Sequence, residues 1–455
     1  MNKEAVVASL NQQLSLNKSS KVLIVGLGKT GFSVAKFLQQ YGIQFAVIDS
    51  RNKPPMNDAL IQAYPDTAIF TGGFDKSAFD VATHLVVSPG VSLQENSIQK
   101  AIQARTKIVS DIDLFACATD QPIIAVTGSN GKSTVTTMLE SMGNRSAIRT
   151  VAGGNLGIPA LDLLDESVEL YVIELSSFQL ERTSALNAKA ATVLNISPDH
   201  LDRHHTLAGY IEAKQKVFSG NGRMILNEDD AIVKDMVVAN REFISFSLQT
   251  NTGFHLEERL GEIYLMDGTS PLMKQKELPL EGMHNVANAL AALALGKTVG
   301  LDMQSMCRAL RDFKGLEHRM QRVAKVKGVT WVNDSKATNI GACVAALQGC
   351  QEKIVLIAGG DAKGAEMTEL IPVIKEKTKC VVLIGKDANK IELAINGCVP
   401  SYQAKTIKEA VQIAAELANA GESVLLSPAC ASMDQFKNYQ ERGDKFMAAV
   451  LELAA

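Results

Sequence analysis

Apolar runs too short for buried helices recur along the chain, and most stop at a polar loop marked by glycine or proline. Residues 21–25, 45–48 and 84–87 predict three strands, and a helical pattern through Phe32, Ala35, Phe37 and Leu38 follows the first. Residues 123–126, 171–174 and 191–196 predict a second series, and residues 329–332, 354–358, 381–384 and 423–426 a third. Strands that read as unbroken apolar runs suit parallel sheets covered by helices on both faces. Between residues 241 and 280 the pattern becomes alternating and turn-rich, with Asp267-Gly268 as a turn signal, which predicts a small antiparallel patch. Gly282-Met283-His284-Asn285-Val286-Ala287-Asn288 then opens an Ala/Leu-rich helix.

The loops carry the chemistry. Thr127-Gly128-Ser129-Asn130-Gly131-Lys132-Ser133-Thr134 follows a strand and precedes a helix. Glycines there let backbone N–H groups face phosphate oxygens, Lys132 adds a mobile positive charge, and a Ser133 or Thr134 hydroxyl can ligate Mg²⁺. The strict G-x-x-x-x-G-K-[ST] form would need glycine at Val126, so this is a shortened variant. Gly26-Leu27-Gly28-Lys29-Thr30-Gly31, with Asp49 ending the next strand, fits a dinucleotide-type unit, and Ser88-Pro89-Gly90 falls at the same kind of carboxyl edge. G-x-G-x-x-G alone is weak evidence for NAD, and another nucleotide fits as well. The predicted strands ending at Glu174 and Ile196 deliver Glu174 and Asp199-His200-Leu201-Asp202 to ligand edges. The expected fold is α/β in three domains: Rossmann-like over 1–110, a central P-loop ATPase type over 111–314 with a mostly parallel sheet and an antiparallel patch, and Rossmann-like over 315–455.

Composition narrows the partners. A chain of 455 residues, 46% hydrophobic with net charge −3, can bury several cores, and without a dense basic block it is not expected to bind nucleic acid. Seven scattered cysteines without a C-x-x-C pair suit reduced thiols. No run approaches the ~20 apolar residues of a membrane span, and residues 1–20 lack a long apolar core, so a cytoplasmic protein is expected.

Six spaced motifs together resemble one family, the Mur ligases, ATP-dependent amide-forming enzymes of peptidoglycan precursor synthesis. They are the phosphate loop, Glu174-Leu175-Ser176-Ser177-Phe178-Gln179, Asn195 with Asp199-His200-Leu201-Asp202, His284-Asn285 with Asn288, Glu317-His318-Arg319, and Asn333-Asp334-Ser335-Lys336-Ala337-Thr338-Asn339. Gly359-Gly360-Asp361-Ala362-Lys363-Gly364 and the stretch from Ser427 to Phe436 resemble the members that add D-glutamate to UDP-N-acetylmuramoyl-L-alanine. A D-[ND]-P-[RA] motif, expected of the diaminopimelate- and lysine-adding relatives, is absent, and Ala362 stands where glycine is expected.

The resemblance implies the reaction and its residues. The muramoyl carboxylate attacks the γ-phosphate of ATP, and the amine of D-glutamate displaces phosphate from the acyl phosphate. The first domain would bind the uridine nucleotide through Gly28, Lys29, Thr30, Asp49, Ser50, Arg51, Ser88 and Gly90, with Asn155, Ser176 and Gln179 toward the muramoyl part. ATP would lie on Gly128, Ser129, Asn130, Gly131, Lys132, Ser133 and Thr134, with Asn288, Arg319 and Asp334 toward adenine, phosphate and ribose. Two Mg²⁺ sites are implied, with Ser133, Thr134 and Glu174 for one and His200 with a carbamylated Lys214 for the other. Without the resemblance, Lys214 reads as an ordinary exposed helix lysine. The C-terminal domain would bind D-glutamate through Lys336, Thr338, Lys363, Ser432 and Tyr439 and close over ATP. Lys132, His200, Lys214 and Lys336 are the expected catalytic residues, His200 being also the nominated base, and the protein is expected to be a monomer without membrane insertion. The competing readings are a folylpolyglutamate synthase-like ligase or a Mur ligase for another amino acid, an NAD(P)-dependent oxidoreductase, and a nucleotide-switched binding module.

Overall fold

The computed structural model describes residues 2–74, 76–280, 282–350 and 352–454. Its strands form three sheets, each with the apolar runs of the sequence at its centre. In the first, Ile69–Thr71, Phe45–Asp49, Val22–Val25, His84–Val87 and Lys107–Val109 lie side by side in that order, all parallel. The order places the first strand centrally and leaves a crevice at the carboxyl edge beside it, where α/β sheets receive ligands.

The second sheet has nine strands. Six of them, Phe243–Phe246, Arg223–Asn227, Ala190–Val193, Ile123–Thr127, Leu170–Glu174 and Thr150–Gly154, are parallel neighbours in that order. The antiparallel patch is the meander Phe254–Arg259, Glu262–Asp267 and Ser270–Lys274. It continues the same sheet, through a parallel pairing of Phe246 with Phe254.

The third sheet runs Gln321–Val326, Val329–Asn333, Ser423–Leu426, Ile354–Gly359, Thr378–Ile384 and Ser401–Gln403. Its first strand is antiparallel and closes a hairpin that the sequence reading did not anticipate. Gln321–Val326 alternates weakly, with Gln321, Arg322 and Lys325 interrupting its apolar positions, as suits an edge strand.

These sheets fall into two compact units: Met1–Ile196 with Ile211–Lys274 and Ala289–Arg311, and Ser197–Tyr210 with Gln275–Asn288 and Asp312–Ala455. The first two sheets therefore share a unit, and one apolar cluster runs through both, from Val6 and Leu10 to Phe115, Tyr171 and Val193. Its opening element is the helix Lys3–Leu14, capped by the Asn2 side chain and buried through Val6, Leu10 and Leu14. That i, i+4, i+8 spacing is the apolar stripe of an amphipathic helix. No helix among the described residues is long and apolar enough to cross a membrane.

Candidate functional site

In the first unit the phosphate loop sits at the carboxyl end of the fully buried strand Ile123–Thr127. Glycine is required twice. Gly128 and Gly131 have φ of 147° and 84°, and a Cβ on Gly128 would come within 3.0 Å of Leu194. Asn195 braces the loop: its carbonyl accepts from Ser129 N at 2.9 Å, its side-chain oxygen from Asn130 N at 2.8 Å, and its amide donates to Asn130 O at 3.2 Å. Lys132 opens the helix Lys132–Arg145 and folds back, donating to Gly128 O at 2.8 Å and Ser129 O at 2.9 Å.

The groups beside that loop fit a hard cation. Glu174 is buried at the end of its strand, and Oε1 accepts from the Asn155 amide at 2.7 Å. Its Oε2, and the Thr134 hydroxyl, are buried with no hydrogen-bond partner. A buried polar atom left this way is costly unless a ligand completes it. Lys214 is 1% exposed, and its ammonium donates to Gly128 O at 2.8 Å and Thr127 Oγ1 at 3.4 Å. The ordinary expectation of an exposed helix lysine fails here, because the helix Leu207–Gln215 directs Lys214 under the phosphate loop.

The other carboxyl edge of this unit gathers Gly28, Lys29, Thr30, Asp49, Ser50, Arg51, Ser88 and Gly90. Asp49 is buried between Leu27 N at 2.7 Å and the Arg51 fork at 2.8 and 2.6 Å. Burial opposes its charge, but the bonds from Arg51 and from the Leu27 and Arg51 N–H groups outweigh it and hold the carboxyl below its usual range. Gly28 starts the helix Lys29–Gln40, with open space where a Cβ would stand. Gly31 is there for contact: a Cβ would lie 2.1 Å from Gly26 O.

Ser176 and Gln179 form a capping box at the helix Ser177–Leu180, and the Gln179 amide also donates to Asp111 Oδ2 at 3.4 Å. Asn155 is engaged with Glu174 through both its amide and its backbone N–H.

In the second unit Asp334 is buried, accepting from Met320 N at 3.2 Å and from the Ser427 hydroxyl at 2.9 Å. Burial pushes its carboxyl up to about 6 against the pull of Arg319 and Ser427. Burial likewise pushes the His284 imidazole down to about 4, with Arg319 adding repulsion. Asn288 donates to Asn285 Oδ1 at 3.4 Å. Lys336 lies 4.2 Å from the centre of the Tyr439 ring, a cation–π contact that gives this tyrosine a use beyond packing.

Asp199, His200, Thr338, Asn339 and Lys363 line one narrow cleft. Within it Asp199 accepts from the Asn339 amide at 3.1 Å and Lys363 Nζ at 3.4 Å. Ser432 is buried at the neighbouring loop. Ala362 is tolerated in place of glycine because its φ is not positive, and its methyl joins the core.

Several residues that shape these edges escaped the sequence reading. Arg442 is fully buried and donates to the Ser335 hydroxyl at 3.0 Å, Ser335 O at 2.8 Å and Cys430 O at 3.2 Å. It thereby ties the Asp334 loop to the Ser427–Ser432 loop. Its signal was available: Arg442 precedes the buried Phe446 and Val450 at intervals of four, so it sits on the apolar stripe of its helix. Asp111 and Arg182 had no local pattern at all.

Known proteins resemble this chain along most of its length. Family models match in chain order: "Mur ligase MurD-like, N-terminal domain" over residues 20–110, "Mur ligase middle domain" over 126–296 and "Mur ligase, glutamate ligase domain" over 318–430. A UDP-N-acetylmuramoylalanine–D-glutamate ligase of Methylococcus capsulatus is 49% identical over 446 residues, 97% of each chain. That of Nitrosococcus oceani is 47% identical over 98% of this chain and 99% of its own. Among solved structures, a pseudomurein peptide ligase type C from Methanothermus fervidus superposes with a TM-score of 0.62 at 18% identity, covering 96% of this chain and all of that one, which speaks for the fold alone. Matched by family models along most of its length and nearly half identical to full-length relatives, the chain belongs to the Mur ligase family.

Proposed function

We propose that the chain is an ATP-dependent ligase that adds D-glutamate to UDP-N-acetylmuramoyl-L-alanine, releasing ADP and phosphate, in cytoplasmic peptidoglycan precursor synthesis. The domains are assigned as 1–110 for the uridine nucleotide, 111–314 for ATP and 315–455 for the amino acid. The observation that carries the reading is the phosphate loop with a buried lysine beneath it: Lys214 Nζ lies 2.8 Å from Gly128 O, in a chain nearly half identical to ligases of that name.

Chemically, a carboxylate oxygen attacks the γ-phosphorus, and the bond to the β–γ bridging oxygen breaks as ADP leaves. The amine nitrogen then attacks the acyl carbon, phosphate departs, and the amine gives up a proton. Three anions must meet, so repulsion between them is the main obstacle. Lys132 and the loop N–H groups serve the β- and γ-phosphates. Thr134 or Ser133 with Glu174 would hold Mg²⁺, which supplies charge neutralisation on the phosphates. The unpartnered Glu174 Oε2 and Thr134 hydroxyl support this assignment.

Lys214 would serve a second cation once carbamylated: CO₂ adds to its neutral amine, an N–C bond forms, and a proton leaves, turning a cation into an oxygen ligand. His200, on the second unit, keeps its roles as metal imidazole and candidate base. Lys336, Thr338, Lys363, Ser432 and Tyr439 are proposed for the two carboxylates of D-glutamate. The proximity of Thr338, Lys363 and His200 around one cleft supports that grouping.

The test is ADP release, expected only when both UDP-N-acetylmuramoyl-L-alanine and D-glutamate are present. Equal rates with L-glutamate or meso-diaminopimelate would overturn the substrate assignment. Intact-protein mass spectrometry should find one added CO₂ on Lys214. Lys214→Ala should be inactive and partly restored by short carboxylates, whereas full activity would remove Lys214 from the site.

A further inference from the structure

Arg182 follows the helix Ser177–Leu180, and its side chain has no exposed surface. Its guanidinium donates to three backbone carbonyls of the first sheet's edge: Ser88 O at 2.6 Å, Val87 O at 3.1 Å and Val91 O at 3.3 Å. These carbonyls flank Ser88-Pro89-Gly90. The Ser88 hydroxyl in turn donates to Gly26 O at 2.7 Å, and a Cβ on Gly26 would fall 2.9 Å from Val91. One unbroken chain of contacts therefore runs from the Glu174–Gln179 segment, through Arg182 and Ser88, to the glycine-rich turn.

Burying a guanidinium against carbonyls is expensive unless a negative charge is near. Two carboxylates supply it. Glu181 lies 3.7 Å away, and Asp111 is fully buried within electrostatic reach. The seam is reinforced on either side. Asp113 accepts from Ser184 N at 2.7 Å and Ala185 N at 2.6 Å, and the Ser110 hydroxyl meets that of Thr183 at 3.1 Å. These neighbours already join the segments, so Arg182 is not needed for the join itself. What it adds is a clamp on the carbonyls of the Ser88–Val91 loop, where the Ser88 carbonyl otherwise accepts from Val91 N at 3.0 Å.

We propose that Arg182 is a positioning residue for the UDP-bearing substrate: it holds the Ser88–Val91 loop in the shape that receives that substrate, while making no contact with ATP. This rests on the proposed function, which places the uridine nucleotide at that edge. The three carbonyls are reached from two separate nitrogens of a rigid planar fork, a spread that the single ammonium nitrogen of lysine does not reproduce, so lysine is a poor replacement.

The test is steady-state kinetics of Arg182→Met and Arg182→Lys, with thermal unfolding and calorimetric binding of UDP in parallel. The expected result is a KM for UDP-N-acetylmuramoyl-L-alanine raised roughly tenfold in Arg182→Met and less in Arg182→Lys, with KM for ATP and for D-glutamate within about twofold. UDP affinity should fall in step. Unchanged KM, or equal losses for all three substrates tracking a lowered melting temperature, would overturn the proposal. Should Arg182→Met not fold, the same split in Arg182→Lys decides. Wild-type protein that releases no ADP would overturn the functional reading instead, whereas an active wild type with indifferent variants would remove only the role of Arg182.

Discussion

Each unit sets a buried arginine within electrostatic reach of a buried aspartate, yet the two are finished differently. In the first, Arg182 serves the carbonyls of Val87, Ser88 and Val91, and Asp111 keeps one oxygen without a hydrogen-bond partner. In the second, Arg442 serves Ser335 and Cys430, and both oxygens of Asp334 accept internal bonds. The ligand edges repeat the contrast. The phosphate loop takes its positive φ from Gly128 and Gly131 and leaves Glu174 Oε2 and the Thr134 hydroxyl unmatched, whereas the second unit bends at His318, Met320, Lys363 and Ala429 as well as at Gly359, Gly360 and Gly364. Non-glycine residues in that region cost about 1–2 kcal/mol each. The first edge is open and unstrained, ready for a ligand to complete it. In the second, Asp334 is satisfied by its own loops, although Arg319 Nε beside it also lacks a hydrogen-bond partner.

The largest expected effect lies at the open edge. Lys132→Ala should lower ADP release by roughly 10³-fold while UDP binding persists, because the loop and the Gly26–Gly31 turn belong to different sheets. Loss of both functions would mean that the two edges are not independent.

At the second unit's edge the main effect should be on stability. Arg442→Met leaves several buried carbonyls unmatched and should cost about 3 kcal/mol or more in urea unfolding. A cost below about 1 kcal/mol would show that the loops hold themselves.

The two aspartates should also reveal themselves through pH. Burial pushes both carboxyls up, each to about 6, so the folded state binds more protons than the unfolded one between the ordinary 3.8 and that value. Their contribution is fully present below about pH 4 and is lost as pH rises through about 6, an upper bound of roughly 3 kcal/mol per group. His284 opposes it: with an imidazole lowered to about 4, its contribution is present above 6.5 and lost as pH falls. Asp111→Asn and Asp334→Asn should therefore each flatten the decline between pH 4 and 6 relative to wild type, in thermal melts. An unchanged slope would mean that the aspartate is already ionised in the folded state.

The smallest effect concerns strain. Ala429 has φ of 59°, so Ala429→Gly should stabilise by less than about 1 kcal/mol, relief of strain being offset by loss of a buried methyl and by chain entropy. Clear destabilisation would show that packing outweighs the strained backbone.

Much of this was legible in the chain. Period and loop chemistry are local properties, so the unbroken apolar runs announced parallel strands, and Gly128, Gly131, Lys132 and Asp49 announced the two carboxyl edges of the first unit. The helix Lys3–Leu14 and the edge strand Gln321–Val326 were missed because one was judged only for membrane character and the other alternates weakly. Arg442 could have been found on its helical stripe.

Sequence by itself determined which segments become strands and helices, where the backbone must bend through glycine, and which family motifs occur in order. Only the tertiary structure decided that Lys214 is buried under the phosphate loop, that Asn195 braces it, and that Arg182 reaches across to Ser88. Those partners lie from 65 to 94 residues apart along the chain. Burial and hydrogen bonding at such separations depend on how sheets and loops pack, and a local pattern of residues carries no record of it.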